Sequence, residues 1–172
     1  MMTIQVRLAQ PTDESAVNAL WQSARQRLHD EKIPQWQGEY PGIADFENDL
    51  HTGEGRVATL TDGTVVGYAA LVTEPDPNYA QIDGQWLTQG NAYATIHRFV
   101  VSATHLHHGI GSDFMAQLIA ETRKNHLPSV RIDTHAVNLP MHHLLGRFSF
   151  QHTGTVYMLD DGTARDAFEL LL

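Results

Sequence analysis

Apolar residues recur along the chain with two distinct periods, and their succession predicts the elements. Ile4, Val6 and Leu8 alternate with Gln5 and Arg7, the two-residue period of a strand with its apolar side chains inward. Pro11-Thr12-Asp13 then signals a helix start, and Val17, Leu20, Trp21, Ala24 and Leu28 form the stripe of an amphipathic helix packed on a sheet. Prolines and glycines punctuate residues 33–42 as a loop, and a shorter helix is expected over 43–51. The β-rich runs 56–61 and 64–73 flank Asp62-Gly63, a strong hairpin signal. Residues 74–94 have no period and read as a long ordered excursion; loops of that length are usually functional or disordered, and the aromatic residues favour function. Residues 95–102 show little polar alternation past Arg98, as in a strand buried on both faces. Ile110, Phe114, Met115, Leu118 and Ile119 predict the next helix, and Val130, Ile132 and Thr134 alternate with Arg131, Asp133 and His135 as a strand. Asn138 stands where it would cap a helix carrying Met141, Leu144, Leu145 and Phe148, and closing strands over 153–160 and 167–172 join across Asp161-Gly162. The order βααββ, βαβα, ββ predicts a mixed α/β domain.

Composition narrows the function classes. A chain of 172 residues, 42% hydrophobic, is expected to form one domain over 1–172 with one sizeable core. Its 11 Lys plus Arg against 20 Asp plus Glu give a net charge of −9, which argues against generic nucleic-acid binding. No apolar run approaches the roughly 20 residues that span a bilayer, and the start lacks the regions of a signal peptide, so a soluble, cytoplasmic protein with no membrane partner is expected. The absence of cysteine excludes disulfide scaffolds, thiol catalysis and thiolate zinc sites. Histidine, at 11 copies, is as numerous as Lys and Arg together.

The chemistry-bearing segment is His105-Leu106-His107-His108-Gly109-Ile110-Gly111-Ser112, which follows the strand over 95–102 and opens a helix. The first amides of a helix lack intrahelical partners and point outward, and glycines let a bulky anion approach them. The plain alternative is a pair of ordinary glycines at a helix start. A Walker loop would need Gly-Lys-Ser/Thr, and a dinucleotide fingerprint a third glycine where Phe114 stands.

IHRFVVSATHLHHGIGSDFMAQLI resembles the acetyl-CoA motif of the GNAT (GCN5-related) N-acetyltransferase superfamily, and the element order agrees over nearly the whole chain. IPQWQGEYP, RIDTH, NLPM and the GTVYM ending resemble one bacterial branch of that superfamily. The resemblance implies a mixed, mostly antiparallel sheet flanked by helices and splayed at the central strand, with acetyl-CoA as the cofactor. It implies that Phe99, Val100 and Val101 pair with the pantetheine arm, and that an amide near Val100 or Val101 bonds the thioester carbonyl. The pyrophosphate would rest on His107, His108, Gly109, Ile110, Gly111 and Ser112, and Asn138 matches an Asn that commonly meets the cofactor. Two positions depart from the pattern: Leu106 replaces an Arg or Gln, and Leu145, seven residues after Asn138, replaces the tyrosine that in many relatives protonates the CoA thiolate.

Direct transfer also needs a base, and histidine is the natural supplier. His97, two residues before the pantetheine segment, and His135, which shares a strand face with Asp133, are the candidates; the alternative is that both are structural. Trp36, Tyr40, Tyr79, Trp86 and Tyr93, from the two long loops, suit the walls of a pocket for an apolar or cationic amine, or else pack beneath those loops. The leading expectation is an N-acetyltransferase acting on a primary amine of a small molecule or peptide, with a homodimer left open. The rival is an acyl-CoA-binding sensor without turnover. A histidine metal site built from His105, His107, Asp133 and His135 is a third reading, and the expectation is that no metal is bound.

Overall fold

The computed structural model describes residues 2–172. The elements are β1 (Gln5–Leu8), α1 (Glu14–Asp30), α2 (Ile43–Thr52), β2 (Gly55–Thr59), β3 (Val65–Val72), β4 (Asp83–Gly84), β5 (Ala94–Val101), α3 (Ile110–Lys124), β6 (Ser129–Thr134), α4 (Leu139–Arg147), β7 (Gln151–Tyr157) and β8 (Ala164–Leu171). The chain divides into two compact units: residues 2–71 with 97–118, and residues 72–96 with 119–172. The strand β5 and the helix α3 each contribute to both.

In the first unit the strand order is β1-β2-β3-β5, with β1 and β3 antiparallel to β2. The Asp62-Gly63 turn closes as the sequence predicts, with Gly63 at φ +87° and the Thr64 amide donating to Asp62 Oδ1 at 2.9 Å. Helix α1 starts where Asp13, buried, takes two bonds from Arg7 and one from the Gln10 amide at 2.8 Å. Its stripe buries Val17, Trp21 and Ala24 against Phe46, Val57, Tyr68 and Val100, and Leu28 is buried further along the same face. Trp21 meets Tyr68 edge-on at 5.1 Å, an arrangement that contributes about 0.5–1.5 kcal/mol beyond burial. The strand β1 departs from expectation at its end: Ile4 is buried, whereas Leu8 is 56% exposed, because the chain is already turning into the Pro11–Asp13 single turn.

The second unit has the order β5-β6-β8-β7-β4, antiparallel except for β5 and β6. The parallel ladder covers Ala94↔Val130 and Thr95↔Arg131, while β5 continues to Val101. The burial of β5 changes at that point: residues 94–96 are buried, but His97, Arg98 and Phe99 are only half-buried. The expectation of a strand covered on both faces therefore holds for its first half alone. In β6, Arg131, which alternates with the apolar Val130 and Ile132, is itself only 3% exposed, because Trp86, Tyr93 and Glu169 cover its side chain.

The excursion over 74–94 is ordered. It holds a single 3-10 turn, Pro77–Tyr79, and the two-residue strand β4, whose Gly84 lies opposite Gly154 of β7. Both glycines have positive φ, +137° and +151°, and a Cβ at Gly84 would sit 2.2 Å from the Thr153 carbonyl oxygen. A side chain at either would force the strands apart.

Candidate active site

In the first unit, β5 delivers the chain into the turn before α3. His107 and Gly109 have φ +68° and +81°, and the first helical bond there runs from the Asp113 amide to the Gly109 carbonyl at 3.0 Å. Left-handed residues just ahead of a helix turn successive amides toward one concavity, the arrangement that binds anions. His107 and His108 are exposed, whereas Ile110 is buried and anchors the helix. A Cβ at Gly111 would meet the Val101 side chain at 3.8 Å, so the helix start lies directly against the end of β5. Of the expected pantetheine-side residues, Val100 is buried and Phe99 stacks on Phe114 at 5.2 Å. His105 Nδ1 is engaged by the hydroxyls of Thr104 and Ser102 at 2.9 and 3.1 Å, and Leu106 is 38% exposed. These features fit a diphosphate held by backbone amides, with imidazoles at its margin.

His97 is half-buried on β5, and the residue after it, Arg98, has φ +54°. Arg98 donates from Nε and Nη2 to the fully buried Asp49 carboxylate of α2, at 3.0 and 2.5 Å, and from Nη1 to the Tyr40 hydroxyl at 3.2 Å. The Tyr68 hydroxyl donates to the same carboxylate at 2.5 Å, and burial first, then Asp49, pushes the Tyr68 pKa up. Trp36 is partly buried against the α1 side of the core, and its carbonyl accepts from Arg25 Nε at 2.9 Å; Arg25 also reaches the Pro41 carbonyl at 2.7 Å. One arginine of α1 thus pins both ends of the loop that carries Trp36 and Tyr40.

In the second unit, Tyr79, Trp86 and Tyr93 pack together, 2%, 9% and 2% exposed. Their polar ends are occupied: the Tyr79 hydroxyl donates to Asp133 Oδ2 at 2.6 Å, Trp86 Nε1 to the Tyr79 carbonyl at 3.1 Å, and the Tyr93 hydroxyl accepts from the Asp76 amide at 2.9 Å. Burial, then Asp133, raises the Tyr79 pKa. The same three rings, with Asp76, Gln89 and Arg131, line a cleft of about 520 Å³. Arg131 lies over the Trp86 and Tyr93 rings, 4.5 and 3.9 Å from their centroids, and donates from Nε to Glu169 at 3.1 Å.

His135 follows β6, and its Nε2 is buried without a hydrogen-bond partner. Burial, then the charge of Arg165, lowers its pKa, while Asp133 and Asp161 oppose the shift. Such a shift favours the uncharged imidazole. Asp133 serves the Tyr79 hydroxyl, acting on His135 through its charge. Asn138 caps α4, its Oδ1 accepting from the Met141 amide at 3.4 Å. Leu145 is fully buried, so α4 offers no acid at that position. Among the described residues no group of three or more His, Asp or Glu is placed to hold a metal, and no helix is long and apolar enough to cross a membrane.

The sequence reading passed over Arg98 with Asp49 and Arg131 with Glu169. A signal existed for the first pair: Asp49 falls among Phe46 and Leu50 on the apolar stripe of α2, where a carboxylate needs a buried partner. For the second, the charged side chains sit on strands that look half-exposed until their neighbours are known.

Comparison with known proteins agrees with this arrangement. No protein of curated function matches the sequence. An acetyltransferase of the GNAT family from Streptococcus agalactiae superposes with a TM-score of 0.90 at 30% identity, over 100% of this chain and 99% of that one. A GNAT-family acetyltransferase from Listeria monocytogenes gives 0.75 at 19% identity, over 98% and 95%. The protein yncA of Salmonella typhimurium, solved with its cofactor acetyl-CoA, gives 0.65 at 17% identity, over 99% and 94%; at such identity the likeness is one of fold. Residues 21–150 match the acetyltransferase (GNAT) family, and the chain belongs to that family.

Proposed function

We propose that this protein is an acetyl-CoA-dependent N-acetyltransferase that moves an acetyl group directly to a primary amine of a small molecule or peptide. The observation that carries the reading is the turn before α3, where positive φ at His107 and Gly109 gathers amides at the helix start against the end of β5. The amides of His107, His108, Gly109, Ile110, Gly111 and Ser112 would hold the diphosphate, and Asn138 would meet the pantetheine arm. Backbone donors suit a chain of net charge −9, which cannot attract a polyanion through its overall field. The bound cofactor supplies an activated acetyl thioester.

The protein's own part begins with the strand residues Phe99, Val100 and Val101, which would pair with the pantetheine arm, an amide near Val100 or Val101 hydrogen-bonding the thioester carbonyl as its oxygen gains charge. His97 or His135 would take a proton from the acceptor ammonium; the neutral amine would then bond to the acetyl carbon as the carbon–sulfur bond breaks, and CoA would leave as its thiolate and take a proton from water, since Leu145 has none to give. His135 has the better support, because burial favours its uncharged form and its Nε2 has no hydrogen-bond partner within the protein. Trp36, Tyr40, Tyr79, Trp86 and Tyr93 remain the proposed acceptor-side residues. Tyr40, 45% exposed, is the most accessible of them to a ligand.

The test is thiol release from acetyl-CoA across an amine panel of polyamines, amino acids and short peptides. A chain without cysteine gives no background with a thiol reagent. Amine-dependent release is expected, with His135→Gln lowering kcat about 10²–10⁴-fold, the usual contribution of general base catalysis. The buried Leu145 favours a second reading, an acyl-CoA-binding sensor, because no general acid stands there. Calorimetric acetyl-CoA binding with no release across the panel would select it.

A further inference from the structure

The strand β5 leaves the strand conformation in mid-course, at Arg98, with φ +54°. That region is disfavoured for any residue bearing a Cβ, and Arg lacks the short polar side chain that lets Asn or Asp visit it. Something outside the strand must therefore hold the residue there. Asp49, fully buried on α2, takes two bonds from the Arg98 guanidinium and a third from the Tyr68 hydroxyl. The Arg98 side chain is only 12% exposed, and Nη1 is engaged by Tyr40. Burial works against the cation, and Tyr40 and Asp49 together outweigh it, so the guanidinium stays charged.

A left-handed residue within a strand rotates the peptides that follow it. Those peptides belong to Phe99, held by its stack on Phe114, and Val100, held in the core. With the far side fixed by packing and the near side by the ion pair, the amides between have one direction.

We propose that Asp49 is a positioning residue for acyl transfer: its buried carboxylate grips the Arg98 guanidinium, keeps residue 98 left-handed, and so aims the amides of residues 99–101. This rests on the function proposed above, in which an amide near Val100 or Val101 meets the thioester carbonyl and the others pair with the pantetheine arm. It also accounts for a buried ion pair where an apolar pair would serve stability as well.

Two double variants isolate the backbone effect. Asp49→Asn/Arg98→Gly and Asp49→Asn/Arg98→Ala both lack the ion pair and differ by one methyl group, but only glycine takes φ +54° freely. With acetyl-CoA and an amine that the parent acetylates, per folded enzyme, the glycine variant should keep kcat within about threefold. The alanine variant should lose about tenfold or more, because a misplacement of about 1 Å can cost a hundredfold. The KM for the amine should be alike in both. Equal kcat values, or two inactive variants, would overturn the proposal, the second outcome meaning that Arg98 acts through its own charge. Should neither double variant fold, the single variant Asp49→Asn gives a second measurement, since its amide keeps one acceptor for Arg98. Amide resonances of residues 99–101 should move relative to the parent, and unmoved resonances would overturn the proposal. A parent that binds no acetyl-CoA removes the underlying function and this role with it, whereas a parent that turns over beside two matching double variants removes the role alone.

Discussion

Replacing Glu169 by Gln keeps volume and removes one charge at a place that solvent does not reach. The carboxylate is fully buried and accepts from the amides of Leu87 and Thr88 at 2.5 and 3.4 Å, the hydroxyls of Thr88 and Ser129 at 2.5 and 2.6 Å, and Arg131 Nε at 3.1 Å. One oxygen faces the two backbone amides and the other faces the hydroxyls and the guanidinium. Whichever way a glutamine amide turns, its NH2 therefore confronts a fixed N–H donor, and Arg131 is left buried between the Trp86 and Tyr93 rings without a counter-charge. Breaking one side of a buried pair costs about 3–5 kcal/mol, against a total of about 5–15 kcal/mol for a domain. At about 2–4 °C per kcal/mol for this size, Tm should fall by roughly 10 °C. Urea unfolding at pH 7, followed by circular dichroism, reads the loss, and amide exchange should quicken first at Leu87 and Thr88. Burial opposes the Glu169 charge, but the bonds from Ser129, Thr88, Arg131 and Leu87 outweigh it and hold its pKa below the usual glutamate range. A carboxylate lowered in this way contributes stability above its unfolded pKa, about 4.3, and loses it as pH falls through the lower folded value, so the gap between parent and variant should close in acid. Replacing both partners, Arg131→Met with Glu169→Leu, removes the unpaired cation but strips the Leu87 and Thr88 amides of their acceptor, so it should recover only part of the loss. A cost below about 1 kcal/mol for Glu169→Gln, where a buried unpaired cation demands several, would refute the assignment.

Two further outcomes bear on the cradle. Gly111→Ala places a methyl group at ordinary van der Waals distance from Val101, so the melting temperature should hold or rise, alanine being favoured over glycine in a helix by about 1 kcal/mol, while loss of one amide bond to a charged phosphate, about 1.5 kcal/mol, should lower calorimetric CoA affinity about tenfold. If His105, His107 or His108 meets phosphate, CoA affinity should increase as pH falls from about 8 to about 6, because a protonated imidazole adds positive charge beside an anion. Triple substitution to Gln should flatten that profile, and a parent profile already flat would remove the histidines from the site.

Local signals specify much of this protein. The helical stripe of α1, the Asp62-Gly63 turn, the cap at Asn138 and the two glycines at the start of α3 each act over a few residues, so neighbouring side chains suffice to determine them. The glycine turn at the helix start is local in the same way, because helix amides and glycine need no distant partner to take that conformation. What the pattern misjudged depends on residues far apart in sequence. Arg131 looks like the polar face of a strand until β8, some 38 residues on, brings Glu169 beside it, and only then is its burial affordable. The left-handed turn at Arg98 has no local cause and is held by Asp49, 49 positions earlier. Tyr79, Trp86 and Tyr93 read as loop aromatics, and only the folded second unit decides that their hydroxyl and indole groups are spent on Asp133, Asp76 and one another. Short-range sterics and hydrogen bonding suffice for the elements and for the glycine turn that opens α3, so both are legible in the order of residues alone. Tertiary structure decided which charges are buried and which backbone strain is held, because a buried ion or a left-handed arginine is stable only where a partner from another element meets it.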